Sequence, residues 1–426
     1  MLNKIQNFTR KYTISIILFE IITFFTITLL IMNEISPVSK YDENAYLDHV
    51  RTILLSENYW YLGDRNRMPI FNYFLSLFYE LNLSELKNYY NLKIANLALT
   101  SFLSMLFFLK LNKKFQNKFI FINLSFFVLV IPIFALVHQL LVESIFFISF
   151  CLMLVYFDQF YNEPSSQNAI KLGFAGAFCY LLKYTGLTVF FAISLFTVIF
   201  GLLNKKTIYI KRFIIVFFTF FILVSPYLYE NYTNFNNHIF YNVNSEFYFW
   251  ADSWEEIVDG VRANNDRVGW PTMEESELPS FEKYVSEHSF SDVYNRFLFG
   301  FKSIGVDYFN LSKLGSHITI ISISVLMMSI YLAYKGRVFN VLKLSYFDLI
   351  TILTSGFIIL ASAFNSYIST GLRYTLPIAI PLFLMVFLKL DKVYAKNNIV
   401  EFRNILVFFT SLNIFILANS YLNLLP

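Results

Sequence analysis

Long apolar runs separated by short polar connections dominate this chain. A helix crossing a ~30 Å hydrocarbon core at ~1.5 Å per residue needs roughly 20 apolar residues. Runs of about that size recur near 14–34, 92–111, 118–137, 140–157, 169–186, 187–203, 213–229, 316–334, 346–364, 374–390 and 404–422. The pattern predicts an all-α polytopic membrane protein with about 11 transmembrane helices. Two segments break it. Residues 35–91 form a first polar segment containing a moderately apolar, Pro-led piece at 69–79, and residues 231–312 form the longest polar segment. No fixed-period repeat or linker divides the chain, so 1–426 reads as a single membrane domain. The first run follows Lys4, Arg10 and Lys11, as a signal peptide would. It is too long for an h-region and lacks a small-x-small cleavage site, which predicts a retained span. Glu20 lies inside that run and is expected to face other helices, because intramembrane carboxylates avoid lipid.

Composition strengthens this picture. Of 426 residues, 57% are hydrophobic and only 15% charged, against about 25% charged in soluble domains. A soluble protein this apolar would carry more oily surface than it could bury. A net charge of +4 has meaning only through which loops hold it, and no nucleic-acid partner is expected. Cys151 and Cys179 sit in apolar runs and read as packing residues. His238, His288 and His317 show no ligand spacing, so no metal site is assigned.

Lys and Arg fix the orientation. Alternate threading places the N-terminus, 110–118, 204–212, 335–343 and 389–403 on one side. Those stretches hold Lys4, Arg10 and Lys11; Lys110, Lys113, Lys114 and Lys118; Lys205, Lys206, Lys211 and Arg212. They also hold Lys335, Arg337 and Lys343, then Lys389, Lys392, Lys396 and Arg403. That side is cytoplasmic by the positive-inside rule, and both long polar segments then face outward.

Candidate chemistry gathers at the outer level of this threading. Asp42 and Glu43 follow the first span. Adjacent carboxylates there can divide the roles of general base and partner for a cation or hydroxyl, or simply open a helix whose dipole favours acids. Asp64, Arg65 and Arg67 precede Met68-Pro69, where an amphipathic piece could meet an anionic headgroup or merely lie at the interface. Glu143, Lys183 and Arg373 fall near the outer ends of the fourth, fifth and tenth spans. Ionisable groups at that depth mark functional sites by default, with snorkelling the alternative for the two cations. Cations and carboxylates at one level suit a phosphate-bearing lipid with a base opposite it. Trp250, Trp254 and Trp270 lie in the long outer segment among many acids, which suits a cap over the site or contact with sugar faces.

These residues, in this order, resemble the polytopic GT-C glycosyltransferases, specifically the dolichyl- or polyprenyl-phosphate-sugar mannosyltransferase-like group. Protein O-mannosyltransferases and the lipid A aminoarabinose transferase belong to that class. The matching positions are Asp42-Glu43 with Tyr46, the Arg67-Met68-Pro69 turn, Val142-Glu143, and Gly173 and Gly176 leading to Lys183-Tyr184. Pro226 with Asn231 and Arg373-Tyr374 with Pro377 complete the series. The resemblance implies a GT-C fold and inverting transfer of a sugar from a polyprenyl-phosphate-linked donor to an acceptor hydroxyl on a glycolipid, glycan or protein. It implies Asp42 as general base with Glu43 beside it. Tyr46, Arg67, Glu143, Lys183, Tyr184, Asn231, Arg373 and Tyr374 would contact substrate, with Lys183 and Arg373 neutralising the phosphate. No cofactor is required, and a divalent cation stays an open option. The implied location is the bacterial inner membrane, with the site facing the periplasm or exterior. Rival readings are an O-antigen ligase or polymerase, and a lipid-linked saccharide transporter. The former typically depends on Arg and His in the large outer loop, and the latter should hold polar groups near the midplane.

Overall fold

The computed structural model describes the chain except residues 1, 35–41, 57–66, 134–136, 138, 204–206, 267–268, 311–313, 370, 397–401 and 423–426. Among the described residues, most of each apolar run of the sequence lies on a helix. In order these are α1 Leu2–Glu34, α2 Asp42–Leu55, α3 Pro69–Ser76, α4 Glu85–Asn112, and α5 Lys118–Val128 extended by a wide π turn at Leu129–Ile133. Then come α6 Glu143–Asn162, α7 Ser166–Leu182, α8 Thr185–Leu203 and α9 Thr207–Asn234. After the cap region follow α10 Phe281–Glu287, α11 Phe290–Phe309, α12 Leu314–Lys335, α13 Tyr346–Phe364, α14 Leu372–Thr375, α15 Ala379–Lys396 and α16 Phe402–Leu422. Among the described residues, seven helical stretches are long and apolar enough to cross a bilayer, and two shorter apolar ones accompany them. The protein is all-α and spans the membrane several times. The sequence expected about 11 spans. Lys389, Asp391 and Lys392 make α15 more polar, and α7 has only 17 residues.

Local signals set the helix ends. Ser84, Asn117, Ser165 and Ser345 cap α4, α5, α7 and α13 by accepting backbone N–H bonds, each worth about 1 kcal/mol. Pro69 opens α3 at its first turn, where its missing N–H is no loss. α7 packs closely against α6, α8 and α9. A Cβ at Gly173 would stand 2.5 Å from the Val216 carbonyl oxygen of α9, so this glycine permits the approach. Glu20 faces α5, where its carboxylate accepts a 2.6 Å bond from the Ser125 hydroxyl. Cys151 and Cys179 are free, buried thiols.

The ends of α4 and α6 remote from Asp42 carry their own ion pair, Lys114 with Asp158. Asp391 of α15 accepts the backbone N–H groups of Gln116 and Asn117 at 2.9 and 2.7 Å. Lys389 pairs with Asp348 at 2.9 Å. Lys205 and Lys206 lie outside the described residues, as do Asp64 and Arg65.

The long polar segment folds around a second small core of Phe235, Tyr241, Val243, Phe247, Tyr248, Ala251, Ile257, Val261 and Leu278. Arg296 of α11 locks it to the bundle. Its guanidinium is 1% exposed and donates to the carbonyls of Phe364, Phe249 and Ala251 and to Asp252. The sequence reading treated 231–312 as one polar loop, but α11 packs on α12 and α13 and belongs to the bundle edge.

Candidate active site

Asp42, the first residue of α2, is held from two sides. Arg67 Nη2 donates to its Oδ1 and Arg373 Nη1 to its Oδ2, both at 2.5 Å. Burial pushes the Asp42 carboxyl up, but the two guanidiniums outweigh it and hold it below its ordinary value of 3.8. Asp42 is therefore a carboxylate across the physiological range. Arg67 also lies over the Tyr46 ring at 5.2 Å, and Tyr46 packs edge-on against Phe71 of α3. This contact fixes the guanidinium that fixes Asp42. Burial pushes the Tyr46 phenol up and keeps it neutral.

Lys183 and Glu143 form a second ion pair, coupled to the first through Arg373. Lys183, at the C-cap of α7, donates to Glu143 Oε1 at 3.1 Å. The Glu143 side chain is only 7% exposed, and its Oε2 is buried without a hydrogen-bond partner. A buried carboxylate oxygen left so is costly unless a ligand donates to it. Lys183 Nζ also lies 5.9 Å from the Tyr374 ring centre, and Arg373 interacts electrostatically with both Asp42 and Glu143. Arg373 Nη2 donates to the Tyr374 hydroxyl at 2.8 Å, which joins Ser369 at 2.6 Å.

The structure thus brings Asp42, Tyr46, Arg67, Glu143, Lys183, Arg373 and Tyr374 to one end of the bundle, from five separate segments. Glu43 points elsewhere. It is buried and accepts the Tyr89 hydroxyl at 2.8 Å and the Leu140 N–H at 2.7 Å, with Lys93 nearby as a charge partner. Its bonds tie α2 to α4 and to the approach to α6, which positions Asp42. Tyr184 is hydrogen-bonded to Ser245 of the cap. Asn231 is fully buried and donates to the carbonyls of Ile239 and Tyr241, anchoring the cap's first turn. Tyr89, Lys93 and the Leu140 amide were not anticipated, since nothing local marks residues that meet Glu43 from 46 or 97 positions away.

Gly371 supplies the turn before α14, with φ 141° and ψ 148°. Only glycine adopts this region easily, and another residue there costs about 1–3 kcal/mol. Gly371→Ala is expected to displace Arg373 and lower the unfolding temperature of the purified protein. An unchanged unfolding temperature would show that this turn tolerates a side chain.

Among solved structures, the chain is similar to the crystal structure of ArnT from Cupriavidus metallidurans bound to undecaprenyl phosphate. The TM-score is 0.41 at 11% identity, covering 87% of this chain and 76% of that one. No family model matches the chain, and no curated protein does.

Proposed function

We propose that this chain is a GT-C glycosyltransferase of the bacterial inner membrane, moving a sugar from a polyprenyl phosphate to an acceptor hydroxyl on the periplasmic or exterior face. The observation that carries the reading is the joining of Asp42 and Glu143 with Arg67, Lys183 and Arg373 at one end of an apolar bundle. Three cations against two carboxylates leave the cluster net positive, as an anionic lipid headgroup requires. The order of motifs in the sequence supports the same reading.

In the proposed step the acceptor oxygen attacks the anomeric carbon from the face opposite the phosphate. The bond from that carbon to the phosphate oxygen breaks, and its electron pair leaves with the polyprenyl phosphate. Asp42 takes the acceptor's proton. Lys183 and Arg373 meet the charge that grows on the leaving phosphate, where a guanidinium fork suits two oxygens at once. The free Glu143 Oε2 accepts from a sugar hydroxyl. Arg373 has a double engagement in this scheme. It holds Asp42 at rest, and an arriving phosphate competes for it, loosening the clamp that depresses Asp42's basicity. Donor binding therefore prepares the base.

The pH dependence follows from Asp42's lowered carboxyl. In the donor-free protein the ionised, active form is lost only as pH falls through a value below 3.8, and kcat/KM reports that form. Its ion pairs likewise stabilise the fold above the ordinary carboxylate range and are lost on acidification through that lowered value. Transfer limited by Asp42 should stay level from pH 7 down to about 5. A half-maximal point near neutrality would assign the base to another group. The reaction class is tested in proteoliposomes with labelled polyprenyl-phosphate-linked sugars and nucleotide sugars side by side. The proposal expects label transfer and release of polyprenyl phosphate from the lipid donors alone. Movement of intact lipid-linked sugar across the bilayer without transfer would point to a transporter instead.

A further inference from the structure

α11 and α13 approach closely where Gly300 meets Ala363, since a Cβ at Gly300 would stand 2.0 Å from the Ala363 carbonyl oxygen. Beside that contact each contributes two oxygen-bearing side chains at a four-residue spacing, which keeps them on one face. These are Ser303 with Asp307 on α11, and Ser362 with Ser366 at the end of α13. Ser369, before α14, and Thr375, at its end, close the third side. The recess among them has room for one water-sized body, about 10 Å³. We infer that it is a cation site, built for a single sodium ion.

Three observations carry it. The Asp307 carboxylate makes no hydrogen bond or ion pair with any other described residue, and no cationic side chain is among the described residues lining the recess. Its charge therefore lacks a counterion, and a carboxylate held in a recess attracts one more strongly than it would in open water. The surrounding hydroxyls are turned to accept. Ser366 donates its hydrogen to the Ala363 carbonyl at 2.7 Å and Thr375 to the Leu372 carbonyl at 3.2 Å, which leaves their lone pairs free. A water has two hydrogens to give such a lining, whereas a metal ion meets several oxygens at once. Oxygen ligands without imidazole or thiolate select a hard cation. One carboxylate among neutral hydroxyls balances one positive charge, while divalent ions are held by a higher ligand charge.

The recess reaches the charged cluster through one chain of contacts. Ser369 joins the Tyr374 hydroxyl at 2.6 Å, Tyr374 accepts from Arg373 at 2.8 Å, and Arg373 pairs with Asp42. An ion shared by Asp307 and Ser369 ties α11 to the turn that carries Arg373. Its binding does not depend on the transferase reading.

The test titrates the full-length protein in nanodiscs with radioactive sodium in a scintillation proximity assay, with choline as the balancing cation. Saturable binding is expected, displaced by unlabelled sodium but not by potassium at equal concentration. Asp307→Asn should weaken it at least about tenfold, the loss of one charged ligand, while Glu274→Gln, at an exposed cap carboxylate, leaves it unchanged. Because the Asp307 side chain holds no other described residue, Asp307→Asn should unfold in choline chloride at the parent's temperature, which shows that it is folded. No saturable binding, equal displacement by potassium, or binding unchanged in Asp307→Asn would overturn the inference and leave the recess to a water. Sodium binding in a protein that ignores undecaprenyl phosphate would uphold the site and remove the transferase reading instead.

Discussion

Asp42→Asn is expected to lower single-turnover sugar transfer by about two to four orders of magnitude, the usual contribution of a positioned general base, while undecaprenyl phosphate binds more tightly. Asparagine keeps the size and one acceptor oxygen but cannot take the proton. It also removes the negative charge that competes with phosphate for Arg67 and Arg373. A partly exposed ion pair is worth up to about 1 kcal/mol, so the gain in lipid affinity should be about two- to fivefold. The opposite movement of turnover and affinity separates a base from a structural anchor, whose loss would harm both. Near-parental transfer by Asp42→Asn would exclude this carboxylate, and Glu143 would become the next group to test.

Arg373→Ala should show the reverse emphasis. A charge-assisted bond to phosphate contributes about 1.5–3 kcal/mol, so lipid affinity should fall about 10- to 100-fold. Transfer at saturating donor should fall further, because charge grows on the departing phosphate and the cation meets it there. Arg373→Lys keeps the charge but not the fork that spans Asp42 and Tyr374, so it should restore part of the binding and little of the turnover. Binding unchanged in the alanine variant would leave the phosphate to Lys183 and Arg67 alone.

Much of the fold was legible because membrane helices announce themselves through length and hydropathy, with no need of tertiary information. Among the described residues most of each apolar run is helical for that reason, with seven stretches long and apolar enough to span. The gathering of Asp42, Glu143, Lys183 and Arg373 was legible too, since alternate threading forces residues at the ends of successive spans to one level. What each side chain does there was not. Asp42 and Glu43 are neighbours, yet the helix that begins at Asp42 turns them apart. One faces two arginines and the other a tyrosine and a backbone amide. On local grounds Arg67 could meet a headgroup or merely flank an interfacial helix, and only the fold of α2 against α3 reveals that it grips Asp42. Asn231 looked like a site residue from its motif, but its amide nitrogen donates to cap carbonyls. A cap was among the expectations for the segment holding Trp250, Trp254 and Trp270, but its internal core escaped prediction because aromatic and aliphatic residues assemble it without helical or strand periodicity, and Arg296 closes it through carbonyls that no sequence pattern advertises.

The central claim is that this end of the bundle binds a lipid phosphate through Arg373 in competition with Asp42. Native mass spectrometry of the purified protein with undecaprenyl phosphate and with the uncharged alcohol undecaprenol measures it directly. The account predicts that the phosphate binds in preference to the alcohol, more tightly in Asp42→Asn and about 10- to 100-fold more weakly in Arg373→Ala. Equal binding of phosphate and alcohol, or phosphate binding untouched by either substitution, would contradict it.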